Sequence, residues 1–476
     1  MNKYFKNYLL YTINIVMMFL FPIVTFPYVS RVLGPSKLGV INFAQSYGYY
    51  FNHIASFGIS SYAIREVSRV RDKKDIVERV ACEIFNLNFF FSCASFLLYI
   101  LGMIIVKNFR DNYIVFLLYS LVIFTNFLTL DWLLQSYDDY FFSTVRNFLI
   151  RLFALILVFV LVKKEDDYIL YMLISCMSEM GTKISTLIHC RRRYVKLRLR
   201  IGFLNFRTHI KSMFTLFAFR LVNGISANLD KLMIGFMMLY TDVGVYSAGI
   251  KFVMMIWPVV ETAGVVLFPK INISADRSQE EYKKLLKVNY NLILVIGIPM
   301  AVGMILVSNR LIPMFAGDNY RGAISISRIM SLLIVIGPIA DLLGSKVLLV
   351  FNKDRWLLRS SALVAITNII LNTIMIPMFG INGAAMASVI SYMVAVLSRL
   401  YYARKLVDIN LINKELTKYL LCTLPFLLIY LLNRNLIDTS NFAMFAFVAI
   451  CCVLYTLELI ITKDQLVYVF REKVFK

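Results

Sequence analysis

The sequence has few of the residues on which soluble proteins, metalloproteins and most enzymes depend. Charged residues make up 16% of the chain, and three residues are histidines. Because 60% of the residues are hydrophobic, a soluble domain would have to hide more apolar surface than its core can hold. The seven cysteines show neither metal-ligand nor disulfide-framework spacing. A soluble globular protein is therefore excluded, and neither a zinc site nor a disulfide scaffold is indicated.

Catalytic and phosphate-loop signatures are also missing from the sequence. Acidic residues number 28 against 50 basic ones, which gives a formal net charge of +22. Such an excess can indicate nucleic-acid binding, but here the basic residues concentrate in alternate short loops between apolar segments. That distribution is typical of a membrane protein, so we expect contact with lipids and none with nucleic acid.

Long charge-free segments dominate what is present. Tyr8–Ser30, Leu38–Ile64 and Val288–Asn309 are each long enough to cross a bilayer, and Ser360–Ser398 is long enough to cross it twice. The pattern predicts an all-α polytopic membrane protein with about fourteen transmembrane helices. Lysine and arginine are biased to the side of the N-terminus, which predicts that both termini are cytoplasmic.

A basic segment without acidic residues, Arg191–Lys211, divides the spans. We expect six-helix bundles over residues 1–200 and 201–405, followed by two additional helices and a cytoplasmic tail over 406–476. Each bundle has an even number of spans, so both enter from the same side and are predicted to be related by a pseudo-two-fold axis along the membrane normal. This arrangement predicts a polar cavity between the halves.

Charges inside the predicted spans are candidates for function, because a charge at the bilayer centre costs roughly 2.5–3.5 kcal/mol. The stretch around Asp230 and Lys231, with Lys251 in the next span, holds three of them. The predicted intramembrane cations are Arg151, Lys183, Arg220, Lys231, Lys251, Arg328 and Lys346, and the acidic residues are Glu83, Asp131, Glu179, Asp230, Glu261 and Asp341.

Two of these charges are spaced for pairing within one helix, and two are not. Glu179 and Lys183 are four residues apart in the favourable order, which predicts an ion pair. Asp341 and Lys346 are five residues apart and are not expected to stack on a regular α-helix. Structural pairing and a role in transport are both open for each charge.

The second span carries amides on one helical face, namely Asn42, Gln45 and Asn52. Amides beside tyrosines suit sugar hydroxyls and ring faces. Hydrogen bonding between helices would explain them equally well.

Five motifs, in order, resemble those of one transporter family. They read F-P-Y-V-S-R-V-L-G-P at 26–35, G-V-I-N-F-A-Q-S at 39–46, F-G-I-S-S-Y-A-I-R-E at 57–66, L-D-K-L-M-I-G with V-G-V-Y-S-A-G-I-K at 229–251, and N-I-I-L-N-T-I-M-I-P-M-F-G-I-N-G-A-A-M-A-S at 368–388. The chain thereby resembles the Wzx-type oligosaccharide flippases of the multidrug/oligosaccharidyl-lipid/polysaccharide (MOP) superfamily.

The resemblance implies a bacterial cytoplasmic-membrane flippase, not an enzyme. Such a protein moves undecaprenyl-pyrophosphate-linked oligosaccharide to the outer leaflet by cation-coupled alternating access. Arg31, Lys231, Lys251 and Arg220 are then expected to bind the diphosphate, and Asp230 to hold a coupling ion or an ion pair. No cofactor is implied beyond coupling Na⁺ or H⁺, and the polymerase and glycosyltransferases of the same pathway are candidate partners.

Two other functions are left open by the residues. A drug or cation antiporter of the same superfamily would favour an acidic, aromatic pocket, whereas basic residues here are at least as numerous. A membrane polymerase or glycosyltransferase would need acidic residues on a sizeable loop. The acidic pairs Asp138–Asp139 and Asp166–Asp167 both lie in short loops.

Overall fold

Every regular element in the described part of the chain is helical, which confirms the predicted all-α membrane fold. The computed structural model describes residues 3–198, 209–210, 213–214, 217, 228–265, 267–411 and 413–464. For residues 3–20, 263 and 265 it describes the backbone alone.

The chain forms two compact units, residues 1–244 and 245–476. The first contains α1 (Lys3–Ser56), α2 (Ile59–Val70), α3 (Lys74–Ile105), α4 (Tyr113–Phe124), α5 (Asp131–Ser136), α6 (Tyr140–Leu161), α7 (Tyr168–Arg193) and the helical residues 228–237. The predicted bundles 1–200 and 201–405, the helices beyond 406 and the pseudo-two-fold axis stay predictions.

The second unit begins within α8 (Tyr240–Val265), which the boundary crosses near its start. It continues with α9 (Phe268–Arg277), α10 (Gln279–Ala316), α11 (Ala323–Met330), α12 (Leu333–Leu343), a π-helical turn (Gly344–Leu348), α13 (Asp354–Phe379), α14 (Ile381–Ala403), α15 (Lys414–Leu421), α16 (Leu424–Thr439) and α17 (Asn441–Ile461).

Ten helical segments of the described chain are long and apolar enough to cross a membrane. The other predicted spans fall on α1, which covers two, on α7, and on residues 212–235, of which the structure describes a part. Gly34, at φ 68°, and Pro35 break α1 between its two halves. Large apolar side chains such as Leu97, Leu101 and Ile104 are exposed on α3, as expected where lipid is the solvent.

At two glycines of the first unit, the backbone of one helix packs directly against the backbone of another. A Cβ at Gly39 would lie 1.8 Å from the carbonyl oxygen of Tyr240, and a Cβ at Gly244 would lie 2.0 Å from that of Pro35. The start of α8 therefore packs against α1 without intervening side chains, in the close-approach mode common between membrane helices.

Asp139 fixes the start of α6. Its carboxylate accepts hydrogen bonds from the amide of Phe142 at 3.3 Å and from the Tyr194 hydroxyl at 2.7 Å, and lies 2.8 Å from His189 Nε2. Burial alone would raise the pKa of this carboxyl, but the hydrogen bonds outweigh burial and lower it below its ordinary 3.8. The same side chain thus caps α6 and ties it to the end of α7.

We predict that Gly39→Ala destabilises the protein by roughly 1–3 kcal/mol or more, because the new methyl group meets backbone that cannot rotate away. Thermal unfolding of the purified protein would measure this. Gly303→Ala is the matched control, since a Cβ at Gly303 meets nothing within 4 Å. It should be neutral or slightly stabilising. Equal unfolding temperatures for Gly39→Ala and wild type would contradict the close contact.

Asp139→Ala should lower stability by about 1–2 kcal/mol through loss of the helix cap. Because the folded-state pKa is lowered, this contribution is complete at neutral pH and is lost only as pH falls through that lowered value. The deficit should therefore persist throughout the range from about pH 5 to pH 8 in unfolding experiments. Asp138→Asn, at an exposed ion pair with Arg71, is the control and should cost little. A deficit that vanished at pH 6 would refute the assignment.

Candidate functional site

The segment that carries Asp230 and Lys231 packs directly on α1. A Cβ at Gly235 would lie 2.2 Å from the ring of Phe43, so this glycine allows the close packing. Asp230 is buried, and Tyr50 of α1 lies within its electrostatic range. Lys231 is half-buried, and its ammonium donates to Asn228 Oδ1 at 3.2 Å. The structure thus buries Asp230 and gives the Lys231 ammonium an amide partner.

The other residues predicted for the diphosphate are distributed over both units. Arg31 is exposed on α1, just before the Gly34 break. Lys251 is half-buried on α8, in the second unit. Arg220 lies outside the described residues. Binding of one ligand by these side chains stays a prediction.

The amides predicted for sugar binding differ in their contacts. Asn42 and Gln45 are half-buried. Asn52 donates to the Tyr119 hydroxyl at 3.1 Å and accepts from Asn126 Nδ2 at 3.3 Å. Both ends of the Asn52 amide are therefore used between helices, the alternative that the sequence left open.

The predicted pair of Glu179 and Lys183 is not in salt-bridge contact, although the two charges attract each other. The Lys183 ammonium instead donates to the carbonyl oxygen of Val122 on α4, at 2.9 Å. No salt bridge joins Lys183 to Glu179 within the part of the chain that the structure describes. Helical spacing brought the two residues to one side of α7, but the long lysine side chain reached a neighbouring helix.

Arg146 is hydrogen-bonded to three other side chains in the described part of the first unit. Its guanidinium lies 2.9 Å from Asp131 Oδ1 and 2.9 Å from Asn147 Oδ1, and it also donates to the Thr186 hydroxyl. It is buried, whereas Asp131 is half-buried. This arrangement neutralises a cation inside the membrane and ties α5, α6 and α7 together.

Beside this ion pair lies a cavity of about 370 Å³, which we call the polar cleft. Its lining combines four charges with amides and hydroxyls: Asp131, Gln135, Ser143, Arg146, Asn147, Arg151, Ser178, Glu179 and Thr182. Ser143, Asn147 and Arg151 follow one another at four-residue spacing, so they form one stripe along α6.

The polar cleft faces away from the apolar outer surface of its helices. On α6, Leu149 is 55% exposed, and on α7, Met177 is 59% exposed. Arg151 and Glu179 each follow one of these residues by two positions, which places them about 200° around the helix. Both are near the middle of their helices, so the cleft reaches deep into the membrane.

The second unit contains a charged cluster at the π-helical turn. Lys346 is 4% exposed and lies 3.3 Å from Asp341 Oδ2, although the sequence predicted that these residues do not meet. The pair forms where the helix departs from α-helical geometry. The amide of Leu349 donates to the carbonyl of Gly344, five residues earlier, and Lys346 lies within this wider turn, which begins three residues after Asp341.

Two arginines were missed as intramembrane charges by the sequence analysis. The predicted spans 145–162 and 381–402 placed Arg146 and Arg399 at their ends. Because Asp139 caps α6, that helix begins earlier and Arg146 lies almost two turns inside it. Arg399 donates to the carbonyl of Ala340 at 2.8 Å. The Asp139 cap and the polar stripe on α6 were signals that could have found Arg146.

The chain resembles known proteins in sequence and in structure. The family model described as "Polysaccharide biosynthesis protein" matches residues 4–274. A protein named for O-antigen transport in Escherichia coli (strain K12) is 19% identical over 337 residues, which are 71% of this chain and 81% of that protein. A protein of Haloferax volcanii named as the flippase AglR is 26% identical over 165 residues, 34% of this chain and 35% of that protein.

Two solved structures share the fold. The lipid II flippase MurJ, in an inward closed conformation, has a TM-score of 0.78 at 16% identity, covering 98% of this chain and 100% of that one. An inward-facing multidrug resistance transporter of the MATE family, in the MOP superfamily, has a TM-score of 0.64 at 13% identity, covering 81% of this chain and 93% of that one. The predicted superfamily fold is therefore confirmed.

We predict that substituting the two residues of the ion pair at the π-helical turn lowers the stability of the protein by unequal amounts. Asp341→Asn should cost about 3 kcal/mol or more, because it leaves a buried lysine without its counter-charge. Lys346→Met should cost less, because the carboxylate that remains is 39% exposed. Thermal unfolding of both variants and of the double variant measures the difference. A larger loss for Lys346→Met would refute this account.

Proposed function

The chain belongs to the polysaccharide biosynthesis protein family, whose model matches more than half of it, and on this premise we propose that it is a flippase for undecaprenyl-pyrophosphate-linked oligosaccharide repeat units. It is a multi-pass membrane transporter of the flippase type, not an enzyme, and it moves lipid-linked polysaccharide precursors. The undecaprenyl carrier, the direction of movement and cation coupling belong to the proposal.

The observation that carries the proposal is the set of basic side chains at membrane depth. A diphosphate with attached sugars cannot cross hydrocarbon unaided, because burying its charges without compensation costs many kcal/mol. Lysine and arginine supply the compensation as point charges or as paired donors. Half-buried Lys231 and Lys251 combine positive charge with access for a ligand, so we assign them to the diphosphate together with Arg31. The same role is assigned to Arg220 from the sequence alone.

The remaining roles follow from the contacts of each residue. Asn42 and Gln45 are assigned to the sugars, and Asn52 positions helices through its bonds with Tyr119 and Asn126. Buried Asp230 is assigned to a coupling Na⁺ or H⁺ or to an ion pair with Lys231. Lys183, bonded to the Val122 carbonyl, is a structural residue in this proposal.

The positive-inside distribution of lysine and arginine supports a cytoplasmic membrane location with both termini inside. Transport then runs from the inner to the outer leaflet, by alternating access, and delivers repeat units to the polymerase of the same pathway. The likeness to a multidrug transporter is one of fold, and it gives no support to drug export here.

Lys231→Ala and Lys251→Ala should each abolish surface polymer in the native strain, because each removes a counter-charge for the diphosphate. Immunoblots of the membrane fraction would verify that both variants reach the membrane. Lys107→Ala, at an exposed position between α3 and α4, is the control and should export normally. Normal polymer in both lysine variants would remove them from the site. Normal polymer in a deletion strain, with increased drug susceptibility, would favour the antiporter.

A further inference from the structure

We propose that the polar cleft is a binding subsite for an uncharged sugar ring of the translocated glycan, separate from the residues that hold the diphosphate. The inference rests on the proposed function, since the glycan is part of that substrate. It adds a location and a chemical preference: a ring that presents hydroxyl or acetamido groups, held among α5, α6 and α7 of the first unit.

The chemistry of the lining supports a polyhydroxylated ligand. Glu179 offers acceptor oxygens, Arg151 offers donors, and the amide of Gln135 offers both. A sugar hydroxyl donates one hydrogen bond and accepts others, so it needs both kinds of partner. The lining contains no aromatic side chain, and recognition would therefore use hydroxyl groups, not ring faces.

The charge balance argues against a diphosphate in the same place. Asp131 and Glu179 offset Arg146 and Arg151, so the lining has no net formal charge. Arg146 is already occupied by Asp131 and Thr186. A dianion would meet one available guanidinium and one opposing carboxylate, whereas a neutral ring would meet a donor and an acceptor.

Two charged groups in the polar cleft have hydrogen-bond donors or acceptors that a ligand could use. Among the residues that the structure describes, the Arg151 guanidinium and the Glu179 carboxylate make no hydrogen bond and no salt bridge. Holding each charge at the centre of the bilayer is costly unless it is used or solvated. A ligand that hydrogen-bonds to both groups explains why the chain retains them there.

The dimensions of the polar cleft are consistent with a small glycan. Its volume of about 370 Å³ is at the lower end of the range for ligand pockets, roughly 300–1,000 Å³. The cleft thus suits a single ring better than a whole repeat unit. The rest of the repeat unit would lie outside it.

The test is a binding experiment with the full chain in lipid nanodiscs. The probes are the strain's own repeat unit, released from its lipid carrier by mild acid, and inorganic pyrophosphate. Arg151→Ala and Glu179→Ala should each weaken binding of the released repeat unit about ten- to hundred-fold, the loss expected for hydrogen bonds to charged groups. Neither variant should change the affinity for pyrophosphate. Arg110→Ala and Glu165→Ala, in the outer loops, are the matched controls, and unfolding temperatures would verify that all variants are folded.

Unchanged binding of the repeat unit in both cleft variants would overturn the inference. So would a loss of pyrophosphate binding in Arg151→Ala with normal binding of the repeat unit, because the cleft would then be an anion site. A wild-type protein that binds pyrophosphate but not the repeat unit overturns the subsite and leaves the flippase proposal intact. Normal surface polymer in a deletion strain, together with glycan binding that the cleft variants weaken, would overturn the flippase proposal and leave the subsite intact.

Discussion

The cost of placing charge in hydrocarbon governs the interior of this protein. Bulk water cannot solvate a group at mid-membrane, so each charge requires a partner from the chain, a wet cavity or a ligand. The first two of these are found among the described residues. Arg146 donates hydrogen bonds to Asp131, Asn147 and Thr186, and Lys183 donates to a backbone carbonyl. Arg151 and Glu179 instead face a cavity.

Whether a charge is bonded to fixed partners or faces a cavity separates structural charges from candidate functional ones better than the sign of the charge does. A cation whose donors are consumed by fixed partners holds helices together, and a transported ligand would have to compete with those partners. A cation that faces open space can exchange partners during transport without breaking the fold. Lys346 belongs to the first kind, and Arg151 belongs to the second.

The fold class could be predicted because a helix that crosses lipid needs a long charge-free segment, and such segments can be recognised in the amino-acid sequence. Family motifs added the family, which the family model over residues 4–274 confirmed, while the structural comparisons confirmed the fold. The partners of the charges were harder to predict. Glu179 and Lys183 have ideal spacing yet do not pair, because Val122 on another helix is within reach of the lysine. The local sequence does not show which residues of other helices lie within reach of a side chain.

Helix geometry produced the opposite error at Asp341 and Lys346, since regular α-helical spacing was assumed where the turn is π-helical. That turn contains one residue more than an α-helical register would allow, so it behaves as a tolerated insertion. Removing one residue between Asp341 and Lys346 would leave the two charges four residues apart, the spacing that pairs them on a regular α-helix, and would rotate everything beyond it by about 100°. The insertion therefore sets which face the following residues present, and the ion pair alone does not require it.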